Sequence, residues 1–169
     1  MKKIKLSKFE WIFVIVIMLM FLITILTKFY GSADIDDYAN VAKFFAEEYD
    51  AKIRSSHSYL YGFISSPFVK LTHNFLLMKI MTLVWLILLM ISIYYLSGKN
   101  KKTLLLIITE PIFWYMDHQI NPIQIASLFF LFGYYFIKKY DKQNNLKNLF
   151  YSGLFFGLAW AFWDTVLHF

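Results

Sequence analysis

The sequence contains no cysteine. This absence excludes disulfide bonds, thiolate metal sites and a thiol nucleophile, and it leaves the cellular compartment open. Tandem repeats and low-complexity segments are also absent, so a repeat architecture is not expected. Lysine and arginine exceed the acidic residues by six, but this surplus lies in clusters beside apolar runs and lacks the groove-like pattern of nucleic-acid binding. We therefore expect no nucleic-acid partner and attribute the positive charge to membrane topology.

What the chain has in excess is apolar side chains. Hydrophobic residues make up 59% and aromatic residues 21% of its 169 positions, which is too apolar for a soluble domain of this size and typical of an integral membrane protein. We predict an all-α, multi-pass membrane protein with about five hydrophobic helices in a single membrane domain, residues 1–169. The bilayer is thus its first expected partner. The predicted spans are residues 10–30, 75–97, 103–117, 122–137 and 149–169.

The third and fourth predicted spans are short. A run of about 14 residues rises only about 21 Å, whereas the hydrocarbon core is about 30 Å thick. Two arrangements fit residues 103–137: two full crossings in a thinned region, or a re-entrant hairpin. In the turn between them, Asn121 is a good helix cap and Pro122 a good first helical residue.

The first apolar run, from Trp11 to Leu26, carries no charge. It follows a lysine-rich start, as in a signal peptide, and residues 31–33 are small enough for a cleavage site. The run is nevertheless longer than the core of a signal peptide, so we expect a retained helix. Because lysine clusters mark the cytoplasmic side, we predict a cell-membrane protein with a cytoplasmic N-terminus and an external first loop. The clusters are Lys2–Lys8, Lys99–Lys102 and Lys138–Lys147.

The external loop, residues 31–74, has helical patterns of its own. Apolar residues recur at steps of three and four over residues 36–53, which predicts a helix lying in the membrane interface with its apolar face on the lipid. A second interfacial helix is predicted over residues 59–71, interrupted at Gly62 and Pro67. The apolar face of the first helix consists of Tyr38, Val41, Ala42, Phe45, Tyr49 and Ile53.

Three aspartates, Asp34, Asp36 and Asp37, open this loop within four positions. A charged side chain costs roughly 2.5 to 3.5 kcal/mol at the centre of a spanning helix, so the cluster must lie outside the bilayer core. Close carboxylates supply the oxygen ligands that a divalent cation prefers, or a general base. Asp34 would equally cap the following helix, with the other two carboxylates stabilised in its first turn. The spacing fits both interpretations.

Two further positions are candidates for function. Glu110 lies inside an apolar run and precedes Pro111. An acidic residue in such a run indicates a functional site. The alternatives are that Glu110 is protonated, is paired inside the helix bundle, or lies close enough to the surface to be hydrated. Arg54 is the only arginine. With His57 nearby it is suited to binding a phosphate, and the plainer alternative is a solvated loop.

Short motifs follow one another along the chain in a characteristic order. They are Asp36 or Asp37 with Tyr38 and Ala42, then Tyr59-Leu60-Tyr61-Gly62 with Pro67, then residues 111–115 with Asn121-Pro122. This arrangement, after one apolar run, resembles the N-terminal module of the GT-C superfamily of polytopic glycosyltransferases. The likeness covers nearly the whole chain but only the front part of a family member. It therefore implies a shortened relative, whose missing spans a membrane protein partner would supply.

The resemblance implies transfer of a sugar from a polyprenyl-phosphate-linked donor. It makes Asp37, and after it Asp36, the expected catalytic base or the ligand of a divalent metal, Mg²⁺ or Mn²⁺. Two other functions also fit the sequence: a non-catalytic membrane subunit or scaffold of the same architecture, and a small transporter built around Glu110 and Asp164. The residues expected to bind the donor are Arg54, Tyr38, His57 and Glu110.

Overall fold

The computed structural model describes residues 7–28, 34–48, 50, 59–72, 74–117 and 119–163. Helices make up 84% of these residues, which include no strand, so the all-α prediction is confirmed. Within the described part of the chain there are eight helices. They are α1 (Lys8–Leu26), α2 (Asp34–Phe45), α3 (Tyr59–Thr72), α4 (Leu76–Leu96), α5 (Lys101–Thr109), α6 (Pro111–Met116), α7 (Ile123–Gln143) and α8 (Leu146–Phe162).

Two of the helices, α1 and α4, are long and apolar enough to cross a membrane. With 19 and 21 residues they are about 28 and 32 Å long, close to the thickness of a hydrocarbon core. A capping box fixes the start of α1: the Ser7 hydroxyl accepts the Glu10 N–H, and the Glu10 carboxylate accepts the Ser7 N–H. The structure thus supports two of the five predicted spans by length and composition.

Helices α1 and α4 lie antiparallel and are joined by a hydrogen bond at each end. The Tyr94 hydroxyl donates to the Glu10 carboxylate at 3.3 Å, and the Lys79 ammonium donates to the Thr27 carbonyl at 2.7 Å. Between these bonds the helices share an apolar core with α5. Its buried residues are Phe13, Val16, Met20, Leu83, Leu86, Met90, Tyr94, Leu104 and Ile107.

The remaining apolar segments differ in length from the predicted spans. Residues 103–117 divide at Glu110 and Pro111 into α5 and α6, which have 9 and 6 residues and are each too short to cross a bilayer alone. Pro111 is the first residue of α6. It has no backbone N–H to continue the helical hydrogen bonds of α5, and its ring would clash with the carbonyl four residues earlier. In contrast, α7 has 21 residues and continues past the predicted end of the fourth span at residue 137, through the lysines of the third cluster, to Gln143. Asn144, in the left-handed conformation, ends it, and Asn145 caps α8.

The two described helices of the first loop pack on each other, and α3 packs on α4 and α8. Helix α2 ends at Phe45 and packs mainly on α3. Tyr38, Val41 and Ala42 of its apolar face are buried, so the prediction that this face lies on lipid is wrong for these three residues. Phe45 is 37% exposed, and Tyr49 and Ile53 lie outside the described residues. Gly62 makes the approach possible, because any Cβ there would overlap the side chain of Val41. Nor does Pro67 interrupt α3, since the Ser66 hydroxyl donates to the Phe63 carbonyl that Pro67 leaves without its helical donor.

Described lysines from all three clusters gather near one end of the α1–α4 pair. The Lys101 ammonium lies 5.6 Å from the ring centre of Phe9, beside the start of α1. Lys138, Lys139 and Lys142 of α7 line one cavity together with Leu96, the last residue of α4. The first loop joins the opposite end of this pair.

Candidate functional site

The most unusual feature of the fold is a lysine in the core. Lys79 is the fourth residue of α4 and is fully buried, and its ammonium donates to the Thr27 carbonyl just past the end of α1. That carbonyl lies beyond the last helical turn of α1, where carbonyls lack intrahelical donors, so the bond serves both groups. A buried ammonium is stable only when it is hydrogen-bonded and close to a negative charge.

Asp117 supplies that charge. It follows α6 directly, is fully buried, and interacts electrostatically with Lys79. Its backbone carbonyl accepts a hydrogen bond of 2.9 Å from the buried Thr24 hydroxyl of α1. We call Thr24, Thr27, Lys79 and Asp117 the ionic cluster. It joins α1, α4 and the end of α6 at the end of the bundle opposite to the lysine clusters.

A second polar group lies one turn further along α4. The Tyr61 hydroxyl is 2.7 Å from the Thr82 hydroxyl, and the latter also bonds to the Met78 carbonyl at 3.0 Å. Since a threonine has one proton to donate, Tyr61 donates to Thr82 when Thr82 donates to the carbonyl. Burial raises the pKa of Tyr61 well above its ordinary value. Its hydroxyl therefore stays neutral and ties α3 to α4.

This tyrosine connects the loop helix to the bundle. The rings of Tyr38 and Tyr61 meet edge to face with their centres 6.0 Å apart, and both side chains are buried. Asp37 precedes Tyr38 on α2 and is half-buried, with one carboxylate oxygen inside the protein. At the other end of α2, the Lys70 ammonium donates to Glu47 at 2.7 Å and so lowers the pKa of that exposed carboxyl.

The residues predicted to bind substrate have different positions. Tyr38 is a core residue, and its ring is used for packing. Glu110 is exposed at the junction of α5 and α6, which pack mainly on α1 and α4, whereas α2 packs mainly on α3. Arg54, His57 and Asp164, and the side chain of Asp36, lie outside the described residues, so their predicted roles stay predictions.

The predicted divalent metal has one candidate ligand in the described structure. No group of three His, Asp or Glu side chains suited to a metal ion occurs there. Asp37 offers one half-buried carboxylate on α2, but a Mg²⁺ ion requires about six oxygen ligands. The described residues therefore fit a metal only if Asp36 and water complete the set.

One residue of the ionic cluster, missed as a candidate, carries a signal in the sequence. Lys79 is a charged residue inside an apolar run, so the argument applied to Glu110 applies to it equally. Its partner gave no such signal, because Asp117 stands in a polar turn. Two buried amides, Gln119 and Gln124, follow Asp117 in the sequence, with exposed fractions of 4% and 1%.

Comparison with known proteins gives no relative: no protein-family model, curated protein or solved structure matches this chain.

Proposed function

We propose that this chain is a multi-pass membrane protein with its first loop outside and its lysine clusters in the cytoplasm. Two helices of spanning length support membrane insertion. The gathering of lysines near one end of these helices supports the orientation, because such clusters are retained on the cytoplasmic side. In this arrangement Asp37 and the ionic cluster lie toward the external end. The predicted third, fourth and fifth spans would be formed by α5 with α6, by α7 and by α8.

Within that arrangement we propose a glycosyltransferase of the GT-C type, acting on a sugar linked to a polyprenyl phosphate. The observation that carries the proposal is the attachment of α2. Tyr38 packs on Tyr61, which bonds to Thr82 of the candidate span α4, so the carboxylate of Asp37 is held in a fixed place beside the bundle. A general base must be positioned in this way before it can act.

The test is turnover of a labelled donor by the protein in vesicles. Vesicles would contain polyprenyl-phosphate-linked mannose or glucose with Mg²⁺ or Mn²⁺, prepared from the native membrane so that a partner supplying further spans is present. We expect release of the labelled sugar by the parent, and a loss of about 100-fold or more in Asp37→Asn, because a general base contributes about that much. Asp50→Asn, an exposed carboxylate of the same loop, is the matched control and should turn over normally.

The scaffold alternative is favoured by one specific observation. Glu110 and Asp37 lie on parts of the fold that pack on different helices, so the structure does not bring these two predicted residues into one site. A scaffold would leave the donor intact in every preparation. It would also tolerate Asp37→Asn and Asp36→Asn with no change in assembly, since no charge is used for chemistry.

A further inference from the structure

A basic cavity of about 460 Å³ lies at the end of the bundle where the lysine clusters gather. Its wall comes mostly from one face of α7, whose lining residues are spaced three and four apart over residues 131–142. Leu96, the last residue of α4, contributes from the neighbouring helix. Along this face of α7 the side chains change from apolar through aromatic to basic. In chain order they are Leu131, Tyr134, Tyr135, Lys138, Lys139 and Lys142.

The positive charge of the basic cavity is not balanced by any described acid. Asp141, the only acidic residue of α7, is exposed and does not line the cavity. None of the three lining lysines forms an ion pair with a carboxylate in the described part of the chain. Three ammonium groups around one concave surface attract a negatively charged ligand, and the lysine ammonium is a common binder of phosphate.

The basic cavity adjoins an uncharged one. A second cavity, of about 560 Å³, lies between α4, α6 and α7, and Leu131 and Tyr134 line both. The described residues around the second cavity are mostly apolar and include no charged group. Where the two cavities meet, the Lys138 ammonium lies 5.5 Å from the centre of the Tyr134 ring. A ligand that fills both cavities would therefore have an anionic group and an apolar chain, joined near Tyr134.

We propose that the two cavities bind one anionic phospholipid, with its phosphate among Lys138, Lys139 and Lys142 and one acyl chain along α4 and α7. A lipid is favoured over free phosphate because free phosphate would leave the uncharged cavity empty. Leu96 ends a helix of spanning length, so the basic cavity lies at the depth of lipid headgroups, where basic pockets between helices bind such lipids. The inference rests on the proposed membrane insertion, but it requires neither the proposed orientation nor glycosyl transfer.

The test uses the full chain in neutral mixed micelles, where the orientation of the protein plays no part. Two probes, phosphatidylglycerol and phosphatidylcholine, carry the same photo-crosslinkable acyl chain and differ in the net charge of the headgroup. The measurement is the mole fraction of each probe that half-saturates labelling of peptides covering residues 86–96 and 123–134. We expect phosphatidylglycerol to reach it at about one tenth or less of the mole fraction of phosphatidylcholine, because each lysine near an anionic headgroup contributes about fivefold.

A matched pair of triple variants separates this site from general charge attraction. The site variant replaces the three lining lysines and should lose the preference for phosphatidylglycerol while phosphatidylcholine still labels it. The control removes the same charge from the same end of the bundle, at lysines that do not line the cavity, and should retain the preference. The changes are Lys138→Gln, Lys139→Gln and Lys142→Gln in the site variant, and Lys99→Gln, Lys101→Gln and Lys102→Gln in the control.

Two competitors distinguish a lipid from a free phosphate. Unlabelled phosphatidylglycerol should displace the probe, whereas glycerol phosphate at the same concentration, which has the charge without the chain, should not. The proposal is overturned by displacement with glycerol phosphate, by equal half-saturation for the two probes, by a preference that survives in the site variant, or by an equal loss in both triple variants. A failure of the proposed membrane insertion would appear separately, as release of the protein from neutral vesicles by alkaline carbonate.

Discussion

Removing the charge of Lys79 should destabilise the fold more than any other single lysine substitution in the described residues. Lys79→Met keeps the length of the side chain and its apolar character. It removes the charged hydrogen bond to the Thr27 carbonyl and leaves the buried Asp117 without its cation. A hydrogen bond to a charged group contributes about 1.5 to 3 kcal/mol, and breaking a buried ion pair costs about 3 to 5 kcal/mol in total. We expect a loss in the latter range.

The same reasoning predicts a strong coupling between the two residues. Asp117→Asn alone should also be costly, since it leaves a buried ammonium without its counter-charge. The double variant Lys79→Met with Asp117→Asn should be destabilised by much less than the sum of the two, because neither charge is then left behind. Membrane insertion helps the double variant further, since a lysine near the end of a spanning helix also disfavours insertion, though by less than the roughly 2.5 to 3.5 kcal/mol that it costs at the helix centre.

The assay is reversible unfolding in mixed micelles, followed by tryptophan fluorescence, for the parent, both single variants and the double variant. Lys70→Met serves as the matched control: its ammonium pairs with Glu47 on the exposed surface, where ion pairs contribute little, and its unfolding should match the parent. The ionic cluster would have no structural role if either single variant lost less than about 1 kcal/mol, or if the two losses simply added.

Two other predictions concern orientation and the loop. A cysteine at position 74, between α3 and α4, should react with an impermeant maleimide added outside intact cells. A cysteine at position 100, beside the lysines, should react only after permeabilisation. The reverse labelling pattern would contradict the proposed orientation. Gly62→Ala should separate α2 from α3 and destabilise the packing of the first loop by about 1 to 3 kcal/mol. The measurement is the rate at which a protease cleaves the first loop, which should rise. Gly153→Ala is the control, since its Cβ meets open space, and its loop should be cleaved at the parental rate.

The two long helices could be predicted from sequence because their signal is local. Residues 10–30 and 75–97 were predicted as spans, and α1 and α4 occupy Lys8–Leu26 and Leu76–Leu96. An uninterrupted apolar run of about 20 residues has few alternatives to a helix in a membrane. The small shifts at the ends come from Ser7, which caps α1 early, and from the chain leaving the helix at Thr27.

The candidate site was less accessible to sequence reasoning. Asp37 was identified from a local cluster, yet its relation to the bundle depends on Tyr38 meeting Tyr61, a contact between residues 23 positions apart. The ionic cluster depends on longer separations still: the bond from Thr24 to the Asp117 carbonyl spans 93 positions. No periodicity or spacing within a single run encodes such a meeting.

The sequence by itself determined that this protein is helical and that α1 and α4 are apolar throughout, because composition and periodicity act within one segment. It also determined that α2 has one apolar face. Tertiary structure alone decided what covers that face, since a periodic pattern specifies burial without specifying whether lipid or protein provides it. It likewise decided that Lys79 and Asp117 lie together out of water. Their burial is tolerable only because the packing of α1, α4 and α6 brings each charge its partner.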